Sequence, residues 1–339
     1  MSRNVVGKVS YKLLREYVFN RIGVRRKEVL VGPGVGEDAA IIDFGDKVLV
    51  IHTDPITEAV ERIGWLAINI ACNDVAVRGA KPLWVSTTIL LPEGYSRELL
   101  DKITKDIDEA SKNLDVMVVG GHTEETPRLD RPIVIVTAIG IASKNTLVTT
   151  SGSKPGDLVI MTKTAGLEGT AIIARDFRNL LLEKGVSKEV INRAAEMLWD
   201  ISIVREALLL AWLGATSMHD PTEGGVLGGL VEMSIASGNA FKIYEDRIPL
   251  AEETKIIAKA LNIDPLKLIS SGVLLATIPR NKVKEILEFL EEAGIKTSVI
   301  GEVVEGRGVY LVRREGIEVY QDFIVDEITR LWSVAEIQT

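Results

Sequence analysis

Residues 39–54, "AAIIDFGDKVLVIHTD", hold two β-rich runs, 39–44 and 47–54, on either side of the pair Gly45-Asp46. Apolar, β-branched runs broken by a Gly-Asp pair predict a β-hairpin whose second strand ends at Asp54. Working outward, residues 58–79, "EAVERIGWLAINIACNDVAVRG", carry apolar side chains at helical spacing, with Gly79 as the stop. Then follow a strand at 82–91, a charged helix at 96–114, and strands at 116–121 and 132–142. An amphipathic helix over about 9–22 precedes the hairpin. The order ββαβαββ predicts an α+β arrangement with one helical layer on a sheet.

The segment 149–157, "TTSGSKPGD", is rich in Ser, Thr, Gly and Pro and reads as a linker. It divides the chain into units 1–150 and 151–339. The second unit opens with a strand, a glycine loop and a helix in 158–177. Helices are expected at about 189–213 and 224–237, and the runs "GVLLATIP" and "SVIGEVV" bracket a helix at 281–294. At 339 residues the chain is too long for one ordinary core, which agrees with two units.

Composition removes several classes of function. The net charge is −8 and no basic run exceeds Arg25-Arg26-Lys27, so an extended nucleic-acid surface is not expected. The single cysteine, Cys72, excludes an intrachain disulfide framework, fits a reducing compartment and reads as packed core. The N-terminal residues intersperse charges where a signal peptide would have an apolar core. No uncharged run approaches the ~18 residues needed to span a bilayer. A soluble, cytoplasmic protein without a membrane partner is the expectation.

Just upstream of the hairpin, "VGPGVGEDAA" (31–40) joins glycines that suit a phosphate cradle to Glu37 and Asp38, which would repel phosphate. The conflict disappears if the acids hold cations. Magnesium takes one or two carboxylates and completes its octahedron with water and phosphate oxygens. Asp38, Asp54, Asp74, Glu124 and Asp220 each stand where an apolar element ends or is interrupted, as a metal-nucleotide site drawing on several strand ends requires. For any one of them the bland alternative is a cap or turn. Asp74 resists it, because a carboxylate inside an apolar helix is costly to bury without a partner. Walker A, nucleophile-elbow and zinc-protease motifs are absent. The three histidines, His52, His122 and His219, read as neutral partners of neighbouring groups more readily than as zinc ligands.

In order and spacing, "GVGEDAA", "HTDPI", "NDVAVRGAKPLWVS", "GGHTE", "HDPTEGG" and "SSGVLLATIP" resemble the aminoimidazole ribonucleotide synthetase (PurM-like) superfamily, over about residues 30–310. The second half is most similar to the hydrogenase-maturation dehydratase HypE. The resemblance implies an N-terminal α+β domain that pairs across a homodimer into a shared β-barrel, and a C-terminal α/β domain. It implies ATP held through Mg2+ by Asp38, Asp54, Asp74 and Asp220, with Gly34, Gly36, Asn73, Gly120, Gly121 and Thr123 around the phosphates. The implied activity phosphorylates an amide or carbonyl oxygen of a small or partner-borne substrate, with His122 and Glu124 as candidate catalytic groups. Gly166, Gly169 and Thr170 open a helix whose N-terminus suits a substrate anion or, equally, a tight strand-to-helix turn. HypE ends in a cysteine-bearing tail, whereas this sequence ends "SVAEIQT", so an external substrate is expected. A non-catalytic nucleotide-binding regulator and a kinase resembling thiamine-monophosphate kinase are the competing classes.

Overall fold

The computed structural model describes residues 8–57 and 59–335. The expectations for residues 1–7 and 336–339 lie outside the described residues, and with them most of the tail comparison.

The hairpin forms as its sequence demands: β2 (Ala40–Phe44) pairs antiparallel with β3 (Lys47–Ile56), Phe44 facing Lys47 across the turn. β3 runs two residues past Asp54, because its far half pairs with β6 (Ile133–Ser143) as far as Ile56↔Val134. With β1 (Val29–Val31), β4 (Lys81–Pro92) and β5 (Met117–Thr126) the sheet has the order β1-β2-β3-β6-β4-β5. β4 and β5 are parallel and joined by helix α3 (Arg97–Asn113), the crossover a parallel pair needs.

The first described helical turn, α1 (Tyr11–Leu13), continues as a π-helical stretch, Leu14–Val18, and ends well short of residue 22. The predicted helix 58–79 is trimmed to α2 (Ile63–Ala76), which is buried along its whole length beneath the sheet. Gly79 closes the turn after it at φ +75°, and a Cβ there would lie 2.0 Å from the Thr146 carbonyl oxygen. The chain reverses against the connection that follows β6 only because that side chain is missing.

The second sheet has the order β13-β12-β9-β11-β7-β10-β8. Its strands are β7 (Leu158–Thr162), β8 (Ser217–His219), β9 (Ala240–Tyr244), β10 (Leu275–Ile278), β11 (Thr297–Val304), β12 (Gly308–Arg313) and β13 (Gly316–Tyr320). Only β9 and β12 pair in parallel. Helices α4 (Leu167–Asp176), α5 (Arg178–Glu183), α6 (Lys188–Glu196), α7 (Val204–Leu213), α8 (Gly225–Ser237), α9 (Glu252–Leu261), α10 (Val283–Glu292) and α11 (Glu327–Ala335) complete the unit.

The helix expected over 189–213 is two helices. The break is tertiary in origin. Asn73 of α2 donates its amide to Ile201 O (3.0 Å) and accepts from Ile203 N (2.9 Å), while Trp65 Nε1 donates to Leu198 O (3.2 Å). Bonds from the first unit thus draw this stretch out of α-helical geometry, Met197–Asp200 tightening into a 3-10 turn before α7 begins at Val204, which no local pattern announces. Asp176 ties the units again by accepting from the amides of Val60 and Glu61.

Candidate functional site

A cavity of about 280 Å³ opens where the units meet, and Asp38, Asp54, Asp74 and Asp220 all line it. Asp38 ends the glycine loop, Asp54 sits on β3, Asp74 projects from α2 and Asp220 follows β8. Four sequence-distant carboxylates therefore share one space, and their electrostatics record it. Burial, then Asp38, Asp220 and Asp54, push the Asp74 carboxyl well above the usual range. Asp220 is raised by burial and then by Asp38, and neither of its oxygens has a hydrogen-bond partner. Asp54 is pushed up to about 7 by burial and by Glu223, with Lys8 opposing.

The cations of the site are built in. Arg78, fully buried, reaches Asp38 Oδ2 at 2.6 Å and touches the Thr150 hydroxyl. His219 sits between two carboxylates, Nδ1 2.6 Å from Asp38 and Nε2 2.9 Å from Glu232. Burial alone would lower its pKa, but those two neighbours raise it to about 10. The ring is an imidazolium, where the sequence had suggested a neutral partner. His52 follows that suggestion: burial lowers it to about 4, and its Nε2 lies 3.2 Å from Asp74. Glu232 also takes Lys8 Nζ (2.7 Å) and Tyr11 Oη (3.1 Å), so residues 8–11 are anchored on α8 at the cavity wall. Lys8, Tyr11 and Glu232 carried no recognisable sequence signal, since each acts through contacts made in three dimensions, whereas Arg78 and Glu223 lie inside the stretches 73–86 and 219–225 without having been singled out there.

Gly34 and Gly36 line the cavity. Gly36 has φ +79°, and a Cβ there would come within 2.6 Å of the Glu232 carbonyl oxygen. Its bareness lets the acid-bearing loop pack on α8. Asn73 is buried, donates to Ile201 O and accepts from Ile203 N, and its amide also lies beside Asp220, where it opposes the rise of that carboxyl. Gly166, Gly169 and Thr170 do open α4, but all three are buried. Gly166 N donates to Ser270 Oγ (2.8 Å), Gly169 N to Ile269 O (3.0 Å), and the Thr170 hydroxyl meets that of Thr254. These bonds within the fold agree with the tight-turn alternative at Gly166 and Gly169, whose amides are both taken.

Gly120, Gly121, His122, Thr123 and Glu124 lie on β5, the exposed edge of the first sheet, and do not line the cavity of their own chain. His122 Nε2 and Glu124 are paired at 3.0 Å in the open. Cys72 is fully buried and its thiol is pushed up to about 12 by burial and Asp74, as a packed core residue should be.

The donor set suits a hard divalent cation. It is all oxygen, and Asp220 has two buried oxygens without partners. Among the described residues no three His, Cys, Asp or Glu side chains converge as a ready-made cage. Magnesium does not need one, because water and phosphate oxygens fill most of its shell. A zinc site from the histidines is not assembled: His122 is on β5 and His219 is occupied on both nitrogens.

An α+β chain whose two units close on one acid-lined cavity, with a glycine loop at its edge, has the form of the two-domain PurM-like proteins. Residues 36–142 match the AIR synthase related protein N-terminal domain and residues 154–314 its C-terminal domain. The chain belongs to the AIR synthase related family.

Among curated proteins it is similar to one named as a hydrogenase expression/formation protein of Methanocaldococcus jannaschii, at 29% identity over 96% of this chain and 97% of that one. It is also similar to carbamoyl dehydratase HypE of Rhizobium leguminosarum bv. viciae (27%, over 71% and 68%) and to thiamine-monophosphate kinase of Pyrococcus abyssi (30%, over 84% and 87%). Among solved structures, that of a HypE-HypF complex superposes with TM-score 0.74 at 26% identity, covering 91% of this chain and 99% of that one. HypE in complex with ATP gives TM-score 0.70 at 20% identity, covering 96% and 97%, a likeness of fold. No helix of the described residues is long and apolar enough to cross a membrane.

Proposed function

We propose that the chain is an ATP-binding, magnesium-dependent enzyme that phosphorylates an amide or carbonyl oxygen of a small or partner-borne substrate, releasing ADP, after which that oxygen leaves as phosphate when a nucleophile attacks the carbon or a proton is lost. The observation that carries this is the gathering of Asp38, Asp54, Asp74 and Asp220, two oxygens of Asp220 unpartnered, around one interdomain cavity. Asp54, Asp74 and Asp220 would hold the cation, which when bound neutralises charge on the transferred group. Asp38 belongs to the same set but is already clamped by Arg78 and His219, so its part is to fix the loop and share one lone pair. Arg78 and His219 keep the acidic cluster from repelling itself while the site is empty of ligand. The unit boundary at about residue 150 puts three of these acids on one unit and Asp220 on the other.

Gly120, Gly121, His122, Thr123 and Glu124 fit this scheme only if a second copy of the chain brings its β5 to the cavity, and a homodimer is part of the proposal. The similarity to a thiamine-monophosphate kinase supports a second reading, in which the phosphoryl group stays on the acceptor. One assay separates them. The full chain is incubated with MgATP and candidate acceptors, and free phosphate and phosphorylated product are both measured. Acceptor-stimulated phosphate release is expected. Accumulation of a stable phosphorylated product instead favours the kinase, and no ATP consumption with any acceptor, alongside tight MgATP binding, favours a regulator.

A further inference from the structure

The cavity has a side branch. Asp54, Thr222 and Glu223 line both it and a second pocket of about 30 Å³. The apolar walls of this smaller pocket include Ile56, Ile70, Ile172 and Ile269, and its buried polar groups are Glu168 and Ser271. The volume exceeds the 10–15 Å³ or so that one water needs, so it suits the tip of a group of a few atoms.

Glu168 is out of place for a purely structural residue. It sits in the first turn of α4, only 2% exposed, and its Oε2 has no hydrogen-bond partner. No side chain caps the helix at Gly166, and the Gly166 and Gly169 amides go to Ser270 and Ile269. An ionised carboxylate with an unpartnered oxygen among isoleucines is costly to bury, and the neutral acid avoids that cost. Burial pushes its carboxyl well above the usual range; the Ser271 hydroxyl opposes, and Asp220 and Glu223 add to the rise. A neutral carboxyl has an O–H to donate and a lone pair to accept, and the Ser271 hydroxyl offers the same pair. The neighbouring Asp54 and Glu223 make the branch hostile to a negative charge.

We propose that this side pocket takes the uncharged hydrogen-bonding tip of the acceptor substrate, a carboxamide or carbonyl on a short apolar stem, held by Glu168 and Ser271, and that it turns away carboxylates and phosphate esters. The inference deepens the proposed function and rests on the adjoining cavity being the nucleotide site. It makes Glu168 a specificity-determining residue and counts against acceptors that already carry a phosphate.

Saturation-transfer NMR on the full chain with MgADP tests it, using propionamide, propionate and ethyl phosphate as probes at equal concentration. Propionamide should bind roughly tenfold or more tightly than either anion. Glu168→Gln, which keeps a neutral donor and acceptor, should retain most of the amide contact, and Glu168→Leu should lose roughly tenfold. Equal binding of an anion, no contact with propionamide, or a Gln variant as impaired as the Leu variant overturns the proposal. Calorimetric titration of MgADP into the same samples keeps the two ideas apart. Amide contact without MgADP binding removes the nucleotide assignment and leaves the subsite, whereas MgADP binding without amide contact removes the subsite alone.

Discussion

Asp54 and Asp74 show how one type of side chain costs stability and supplies function together. Each is held in a cavity that disfavours its charge, Asp54 up to about 7 and Asp74 well above its ordinary range. For Asp54 the folded pKa lies above the unfolded one, so the fold binds the proton more tightly. Its contribution to stability is fully present below about 4 and is lost as pH rises through about 7. Asp54→Asn should therefore melt higher than the parent in ligand-free, divalent-free buffer, by a margin that grows from about pH 4 to 7 and then levels off. The same variant, and Asp74→Asn, should bind MgATP at least about tenfold more weakly, the scale on which metal sites respond to losing a supporting group. Thermal scans across pH and calorimetry check the pair. A variant that melts like the parent at pH 8, or binds MgATP equally well, contradicts the role given to its carboxylate. At this scale the sequence was informative: an aspartate inside "IACNDVAV" is a physical anomaly that only a partner or a metal resolves. Nothing local reveals that Ile201 and Ile203 stand across from its neighbour Asn73.

At the scale of elements, α2 and the turn after it set the position of Asp74 against β3 and the second unit. Gly79 makes that turn possible, with φ +75° and the Thr146 carbonyl oxygen against its α-carbon. Gly79→Ala combines a left-handed backbone, about 1–2 kcal/mol for an L-residue, with overpacking of about 1–3 kcal/mol, so a loss of about 2–5 kcal/mol is expected. Gly94 has a similar φ, +71°, with nothing within 4 Å of the added carbon. Gly94→Ala should cost only the backbone part, about 1–2 kcal/mol. Urea denaturation of the two variants measures the difference, and equal losses would mean that the Thr146 contact is not what constrains Gly79. Long, strongly patterned elements such as the hairpin, α3 and β6 were legible because periodicity and turn chemistry agree. The short strands β8 and β9 and the break between α6 and α7 were not, since they are imposed by neighbours distant in sequence.

At the scale of the whole molecule, the first sheet keeps an unpaired edge. β5 is exposed along nearly all its length, Met117 at 66% and Val119 at 52%, and the sheet's outer face is apolar beside it. Such an edge invites pairing with another chain. A homodimer that covers β5 would bury these side chains and bring Gly120, Gly121, His122, Thr123 and Glu124 toward a cavity. Light scattering at micromolar concentration should give twice the chain mass of 37.0 kDa, and Val119→Arg should shift the population to monomer and weaken MgATP binding in parallel. A parent protein that is monomeric yet binds MgATP would separate the nucleotide site from any such pairing and leave His122 and Glu124 without a task.

The sequence by itself determined the composition class, the two-unit order of elements, the family resemblance and the identity of the four aspartates, because apolar period, turn residues and misplaced charges are local properties. Only the tertiary structure decided what those residues face. It set Asp38 between Arg78 and His219, made His219 a cation and His52 a neutral base, tied two amides at the start of α4 to Ser270 and Ile269, and left one carboxyl oxygen of Glu168 without a partner in a side pocket. The physical reason is the same in each case. Protonation state and hydrogen-bond partnership depend on burial and on charges within a few ångströms, and in this fold those neighbours come from the other half of the chain.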